Sequence, residues 1–421
     1  MSTAALHLIR ISLLCFACTS FAVMPVVAQS VSGGFPKESP AMHGMSAERL
    51  SRLTTGFARA LDERGTPGAT ALILRDGAIV YEQVFGYQDK ITKTPMELDA
   101  IFRIYSMTKP IVSVAVMMLW EEGRFKLNDP LHLYIPEFKN VRVAVVNEDD
   151  SEILHTVHPK RAITIQDLLR HTSGIIYEGG KPTAVGAAYD NSELMNEQLS
   201  LKEFVAVLST LPLIAHPGER WVYGYSVDVL GRFIEVVSGM SLGEFLATRI
   251  FQPLNMPDTG FYIPQDKLSR AAQGYDPKTG AHPDWLLDVS QPPIMESGGG
   301  GLMSTLYDYA RFSQMMLNGG ILNGVRLLSP KTVTLMTANH LTNNVDYSPG
   351  NGFGLGFSVR LETGVIPTAG SKGEYRWGGW AGTTFWIDPA ERLIGIMMIQ
   401  HVASGYVKDR FKTLVYQAVI E

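Results

Sequence analysis

Apolar residues recur along this chain with two different periods, and the switches between them outline its elements. Leu50, Leu53, Phe57 and Leu61 stand at helical spacing behind Ser46, a helix-capping residue, which predicts a helix from Ser46 through about Glu63. Ala69 to Arg75 and Ile79 to Tyr87 read as two strands, with the strong hairpin signal Asp76-Gly77 between them. The end of the chain mirrors this opening. Phe353 to Leu361 reads as a strand, Gly382 to Asp388 and Leu393 to Gln400 as a hairpin turning at Pro389-Ala390-Glu391, and a terminal helix starts at about Tyr406. Antiparallel strands at both ends, flanked by helices, predict one sheet built from both termini.

The middle has the helical period instead: Met107–Glu122, Ile165–Arg170, Leu201–Leu208, Ser226–Ser238 and Leu242–Ile250. This predicts an α/β sheet domain from 29–128 and 271–421, interrupted by a mainly helical domain over 129–270. Asn147-Glu148-Asp149-Asp150 lacks the spacing of a calcium loop and reads as a solvated hairpin tip.

Composition narrows the class. With 46 % hydrophobic and 18 % charged residues over 421 positions, the chain has ample apolar material for a core. The net charge is −5 and no Lys/Arg-rich run occurs, which argues against a nucleic-acid partner. Arg10 is the only charged residue among the first 28, and an uncharged run leads to Val26-Val27-Ala28. That order predicts a secretory signal peptide, residues 1–28, cleaved after Ala28, and hence a periplasmic or secreted protein with no membrane span in the mature chain. An uncleaved anchor is the competing reading, and Pro25 favours cleavage. Cys15 and Cys18, the only cysteines, both lie in that leader, so the mature chain would have neither disulfide nor thiol.

Several enzyme signatures are absent. There is no H-E-x-x-H and no phosphate-binding G-x-x-x-x-G-K-[ST]; Gly239-Met240-Ser241-Leu242-Gly243 has the G-x-S-x-G spacing, but it lies between two helical runs and not at the strand-to-helix turn of a nucleophile elbow. The histidines are too scattered to suggest a metal site, and neither metal nor organic cofactor is expected. One short motif is present: Ser106-Met107-Thr108-Lys109 is the single S-x-x-K. It falls where an extended segment, Ile101–Tyr105, meets a strongly helical one, which places Ser106 at a helix N-terminus with Lys109 one turn on, on the same face. A hydroxyl beside an amine there can be activated without histidine. The plain alternative is a capping serine followed by a surface lysine.

The surroundings carry a resemblance. Ser106–Pro136, SMTKPIVSVAVMMLWEEGRFKLNDPLHLYIP, is similar to the nucleophile helix of the serine β-lactamase and penicillin-binding-protein superfamily. Ile163–Gly174, ITIQDLLRHTSG, resembles the segment that follows, and Pro217–Gly231, PGERWVYGYSVDVLG, the tyrosine motif. Gly298–Ala310, GGGGLMSTLYDYA, and Tyr375–Asp388, YRWGGWAGTTFWID, complete the order. The resemblance covers nearly all of the chain after the leader. It is closest to the class C branch and, within it, to the family VIII carboxylesterases.

The resemblance implies the β-lactamase/transpeptidase-like fold and a role for each matching residue. Ser106 matches the acylated nucleophile, Lys109 its partner and Tyr223 the base, with Tyr225 as the alternative tyrosine, read as lining the pocket. The backbone amides of Ser106 and Trp380 would form the oxyanion hole, and Trp377, Gly378 and Gly379 would edge the substrate site, with Tyr177 reaching the pocket. Lactamases have Lys or His at the position of Trp377. An indole has one N–H donor and no charge, so anionic β-lactams should be recognised less well and an uncharged small-molecule ester better. The implied activity is hydrolysis of carboxylic esters with short acyl chains. A class C-like β-lactamase or D,D-peptidase is the alternative within the enzyme class, and a catalytically silent penicillin-recognising protein is the alternative outside it. His171 invites a triad reading, but its place at a helix end beside a glycine turn suits a local hydrogen bond better.

Overall fold

The computed structural model describes residues 1, 31–177, 183–402 and 404–421. Residues 2–28 of the predicted leader, with its cleavage position and both cysteines, lie outside the described residues. Among the described residues no helix is long and apolar enough to cross a membrane.

Helix α1 (Ala47–Glu63) begins where Ser46 accepts a hydrogen bond from the Arg49 N–H at 3.2 Å, and it buries Leu50, Leu53, Phe57 and Leu61, the stripe set by the spacing. Strands β1 (Gly68–Arg75) and β2 (Ala78–Asp89) follow, then the short β3 (Thr94–Pro95). Asp76 and Gly77 turn the hairpin at φ 54° and 81°, positive at both central positions as a tight right-twisted hairpin requires. Helix α2 (Thr108–Glu121) comes next, then α3 (Ile165–Leu169), α4 (Leu201–Leu208), α5 (Ser226–Ser238) and α6 (Leu306–Leu317). The chain closes with β4 (Asn351–Phe353), β5 (Ser358–Arg360), β6 (Tyr375–Gly378), β7 (Thr384–Asp388), β8 (Leu393–Ile399) and α7 (Gly405–Tyr416).

The strands form one antiparallel sheet in the order β4-β5-β6-β7-β8-β1-β2-β3. The two ends of the chain meet in its middle, where β8 pairs β1 from Ile399↔Ala69 to Leu393↔Arg75. All eight residues of β1 are buried, and they alternate between two cores. Ala69, Ala71 and Ile73 face α1 and α7 with Phe57, Trp386 and Phe411. Leu72 and Leu74 face the larger core, which holds α2. Residues Thr108 to Leu119 of α2 are all buried, consistent with a helix apolar on every side running through the interior.

Two elements differ from the sequence reading. Phe353–Leu361 is not one strand but the hairpin β4–β5, paired Phe353↔Ser358. Gly356 makes the turn at φ 95°, and a Cβ there would lie 2.4 Å from Ser113 Oγ of α2, so the glycine permits both the turn and its docking. The helical run Leu242–Ile250 is α-helical only over Leu242–Leu246 and widens to a π turn over Ala247–Phe251. The acidic stretch after residue 146 is a hairpin tip, between Val143–Val146 and Ile153–Val157.

Candidate active site

The site is assembled where α2, the approach to α5 and the edge of β6 converge. Phe102–Arg103 pairs with Met303–Ser304, and the chain then turns sharply at Tyr105, a non-glycine residue with φ 43°. That left-handed conformation is strained for a residue with a Cβ and is held by its surroundings: Tyr105 OH donates to Trp285 O at 3.2 Å and its ring meets Trp380 edge-on at 5.6 Å. The turn Tyr105–Met107 runs directly into α2, so Ser106 stands just before the helix and Lys109 in its first turn.

Lys109 is 1 % exposed. Its Nζ donates to Ser106 Oγ at 3.1 Å, to Tyr177 OH at 2.8 Å and to the Gly299 carbonyl at 2.6 Å, and it stands 4.7 Å from the Tyr223 ring centroid. Three acceptors satisfy its three N–H donors. The surface-lysine alternative is therefore excluded by burial and contacts together. Tyr223 OH lies 2.7 Å from Ser106 Oγ. The Tyr223 ring is packed by Trp221 (5.9 Å, nearly parallel), His171 (5.0 Å) and Trp377 (5.5 Å).

The third motif, Trp377-Gly378-Gly379, reaches the same place through Gly379. A Cβ on that residue would fall 2.5 Å from the Ile104 carbonyl and 2.2 Å from Thr383 Oγ1, so the backbone at Gly379 lies directly against the backbone leading to Ser106. The Gly379 N–H donates to Thr383 O at 2.8 Å, tightening this turn. Tyr105, Ser106, Tyr177, Tyr223, Trp377, Gly378, Gly379 and Trp380 all border one cavity of about 1090 Å³. Among the described residues no three His, Cys, Asp or Glu side chains converge as a metal site.

The Beta-lactamase family profile matches residues 53–417. The chain belongs to that family. It is 29 % identical over 388 residues to esterase EstB of Burkholderia gladioli, covering 86 % of this chain and 92 % of that one. It is 30 % identical over 384 residues to the lovastatin esterase of Penicillium rubens, covering 83 % and 92 %. Among solved structures, EstCE1, a hydrolase with promiscuous acyltransferase activity, superposes with a TM-score of 0.74 at 25 % identity, over 89 % of this chain and 99 % of that one.

Two residues of this family member stand differently from the sequence reading. Tyr225 does not border the cavity. Its ring packs between Tyr177 at 4.4 Å and Phe204 at 4.9 Å, so it backs the tyrosine that does. His171 keeps its local role through its backbone, whose carbonyl accepts the Val222 N–H at 2.8 Å, but its ring Nδ1 has no partner. Burial, and then the Lys109 charge, push its pKa well below the ordinary imidazole value, so the ring is a neutral packing surface for Tyr223.

Other site residues had no usable signal in the sequence. Lys408, near the start of α7, borders the cavity, and its Nζ lies 3.4 Å from the Gly379 carbonyl. Burial lowers its pKa. Arg376 also borders the cavity but is engaged by Glu374 at 3.1 Å and Asn351 at 2.7 Å. The wall bearing Trp377 is thus less free of positive charge than the motif alone implied. Trp285 and Leu287 complete an apolar rim, with Trp285 edge-on to Trp380 at 5.0 Å.

Proposed function

We propose that the protein is an exported serine hydrolase of carboxylic esters that works through an acyl-enzyme on Ser106. The observation that carries this reading is the convergence of Lys109 Nζ and Tyr223 OH on Ser106 Oγ, at 3.1 and 2.7 Å, at the floor of a large aromatic cavity. Tyr223, paired with Lys109, takes the Ser106 proton as Oγ attacks the ester carbonyl. The backbone amides of Ser106 and Trp380 hold the oxyanion, each such donor typically contributing about 2.7–4 kcal/mol to the transition state. The same pair returns the proton to the leaving alkoxide, and water releases the acyl group. Esterase-named relatives and the indole of Trp377 support an uncharged ester over an anionic lactam.

Side-by-side turnover of p-nitrophenyl butyrate and nitrocefin by the purified chain tests the reading. Ester kcat/KM should exceed the lactam value by about two orders of magnitude, the scale of one missing charge-assisted contact of ~1.5–3 kcal/mol. A fluorophosphonate adduct should map to Ser106 by intact-mass and peptide analysis. Equal turnover of the two substrates, or an adduct on Ser226 or Ser304, would overturn it. Lys408 favours a second, slower activity on anionic lactams, because its amine lies on the cavity wall.

A further inference from the structure

Lys109 is a buried amine with no carboxylate against it. Its contacts are the hydroxyls of Ser106 and Tyr177, the Gly299 carbonyl and the faces of Tyr177 and Tyr223. The neutral His171 ring is near enough to feel its charge. Among the described residues no acid forms an ion pair with it. A buried ammonium without a countercharge is strongly disfavoured, so the negative charge nearest to it matters for its state.

One buried acid is linked to it through a single residue. Asp228, in the first turn of α5, is fully buried; burial raises its pKa, and the nearby Lys109 charge is the largest influence that favours its ionised form. Its Oδ1 accepts from the Gly299 N–H at 3.0 Å and from Ser297 Oγ at 2.6 Å, while its Oδ2 is buried with no partner. Gly299 therefore links the two: its N–H is held by Asp228 and its carbonyl receives Lys109 at 2.6 Å. A Cβ at Gly299 would lie 2.3 Å from Asp228 Oδ2, so the glycine allows the carboxylate to sit this close to the loop. Both groups that Oδ1 meets are donors, so this oxygen acts as an acceptor. Asp228 is also the acidic residue of this helix's first turn, where the helix dipole favours a carboxylate.

We infer that Asp228 is the counter-ion of Lys109, acting through Gly299 to fix the lysine as an ammonium and leave Tyr223 as the group that takes the proton from Ser106. It is a positioning residue, since it touches neither substrate nor Ser106. The inference rests on the esterase reading for its assay and extends it by dividing the Lys/Tyr pair into a cation and a base. Its electrostatic sign is definite. On activation the pair loses one proton, and a neighbouring anion favours the form that still has it. Asp228 therefore shifts the acid limb of the pH–rate profile to higher pH.

The test compares wild type with Asp228→Asn, which keeps an acceptor for Gly299 and Ser297 but removes the charge. With p-nitrophenyl butyrate, kcat should fall about tenfold with KM changed less than twofold, and the acid limb of kcat/KM should move down by about one pH unit. A merely structural role would lower activity at every pH without moving the limb, and that result overturns the proposal. A second measurement needs neither the variant nor turnover: the ¹⁵N resonance of the Lys109 side chain in wild type at pH 8. An ammonium signal is expected, and a neutral amine overturns the proposal even if Asp228→Asn fails to fold. If wild type neither turns over the ester nor takes the phosphonate, the esterase reading fails; if it does both and the limb stays fixed, this inference alone fails.

Discussion

Asp167 and Asp228 are both buried aspartates at the start of helices in the same region, and their surroundings differ completely. Asp167 accepts from Arg161, from Arg170 at 3.0 Å, from Thr172 Oγ1 at 2.8 Å and from the N–H and hydroxyl of Thr164 at 3.0 and 2.7 Å. Burial alone would raise its pKa, but the Arg161 hydrogen bonds and then those of Thr164 outweigh it and hold the carboxyl at about 2. Asp228 has two donors on one oxygen and none on the other, and burial dominates, so its pKa is raised. A carboxylate surrounded by cations is neutralised locally and serves the fold. A carboxylate left short of partners keeps its field available, and the buried group that field reaches is Lys109.

The largest effect separates the two regions by what they control. Ser106→Ala should remove turnover and phosphonate labelling while leaving the melting temperature within a few degrees, because the serine borders the cavity and supports no packing. Tyr223→Phe and Lys109→Ala should each cost several orders of magnitude in kcat/KM, with little further loss when combined, as for groups that act as one unit. Steady-state rates on the two single variants and the double variant check this. Full additivity would mean that the two side chains act on separate steps.

Asp167→Ala should do the reverse. Removing the carboxylate leaves the Thr164 and Thr172 hydroxyls and Arg170 short of an acceptor while Arg161 stays partly solvated, at a cost of about 1–3 kcal/mol, whereas kcat of the folded fraction should stay near wild type. Urea unfolding read beside activity makes the distinction. A stable but inactive Asp167→Ala protein would erase the contrast between the clusters.

The same pair predicts opposite pH slopes of stability. Asp167 binds its proton more weakly folded (about 2) than unfolded (3.8), so its stabilisation is present above pH 4 and is lost as pH falls from 4 towards 2. The difference corresponds to about 2 kcal/mol at 1.36 kcal/mol per unit. Asp228 binds its proton more tightly folded than unfolded, so its ionisation opposes folding as pH rises above the ordinary carboxylate range. Unfolding free energies of Asp167→Asn and Asp228→Asn at pH 3 and 7 should therefore deviate from wild type with opposite pH trends.

Which of these features the sequence reveals depends on how local their causes are. The α1 stripe, the Asp76-Gly77 turn and the limits of α4 and α5 follow from spacing and turn chemistry within a dozen residues, and the structure has them where the pattern placed them. The S-x-x-K spacing likewise brings Ser106 and Lys109 together within one helical turn. The Tyr223 contact is not local, and only the family resemblance anticipated it. Gly354 and Gly356 looked compatible with a strand because the packing of Ser113 that requires a turn there comes from a helix some 240 positions earlier. Lys408 and Asp228 had no readable signal for the same reason: each meets the site through an element remote in sequence, by a side chain that is ordinary on its own helix. Tyr225 does not border the cavity although Tyr223 does, because residues two apart in a motif need not share a surface once a helix begins at Ser226.

The smallest expected effect brings the charge logic of Asp167 into the cavity. There a carboxylate is held by cations on two sides. At the third motif, an incoming carboxylate would meet the Trp377 indole, whose Nε1 is buried without a partner, and Lys408 at the end of the same wall. Trp377→Lys supplies a cation at the motif's first position. It should raise kcat/KM for nitrocefin about tenfold, the equivalent of ~1.4 kcal/mol from one partly solvated charged contact. Butyrate ester turnover should fall, because Trp377 packs on Tyr223 at 5.5 Å and on Phe353 at 5.3 Å, and a lysine stem leaves that aromatic stack loose. The ratio of the two substrates is thus a better readout than either rate, since loosening acts on both and charge only on the anion. Lys408→Met in the same assay should lower the nitrocefin rate more than the ester rate. If Trp377→Lys leaves the ratio unchanged while Lys408→Met lowers the nitrocefin rate selectively, anion recognition is set from α7, and the first position of the third motif has no part in it.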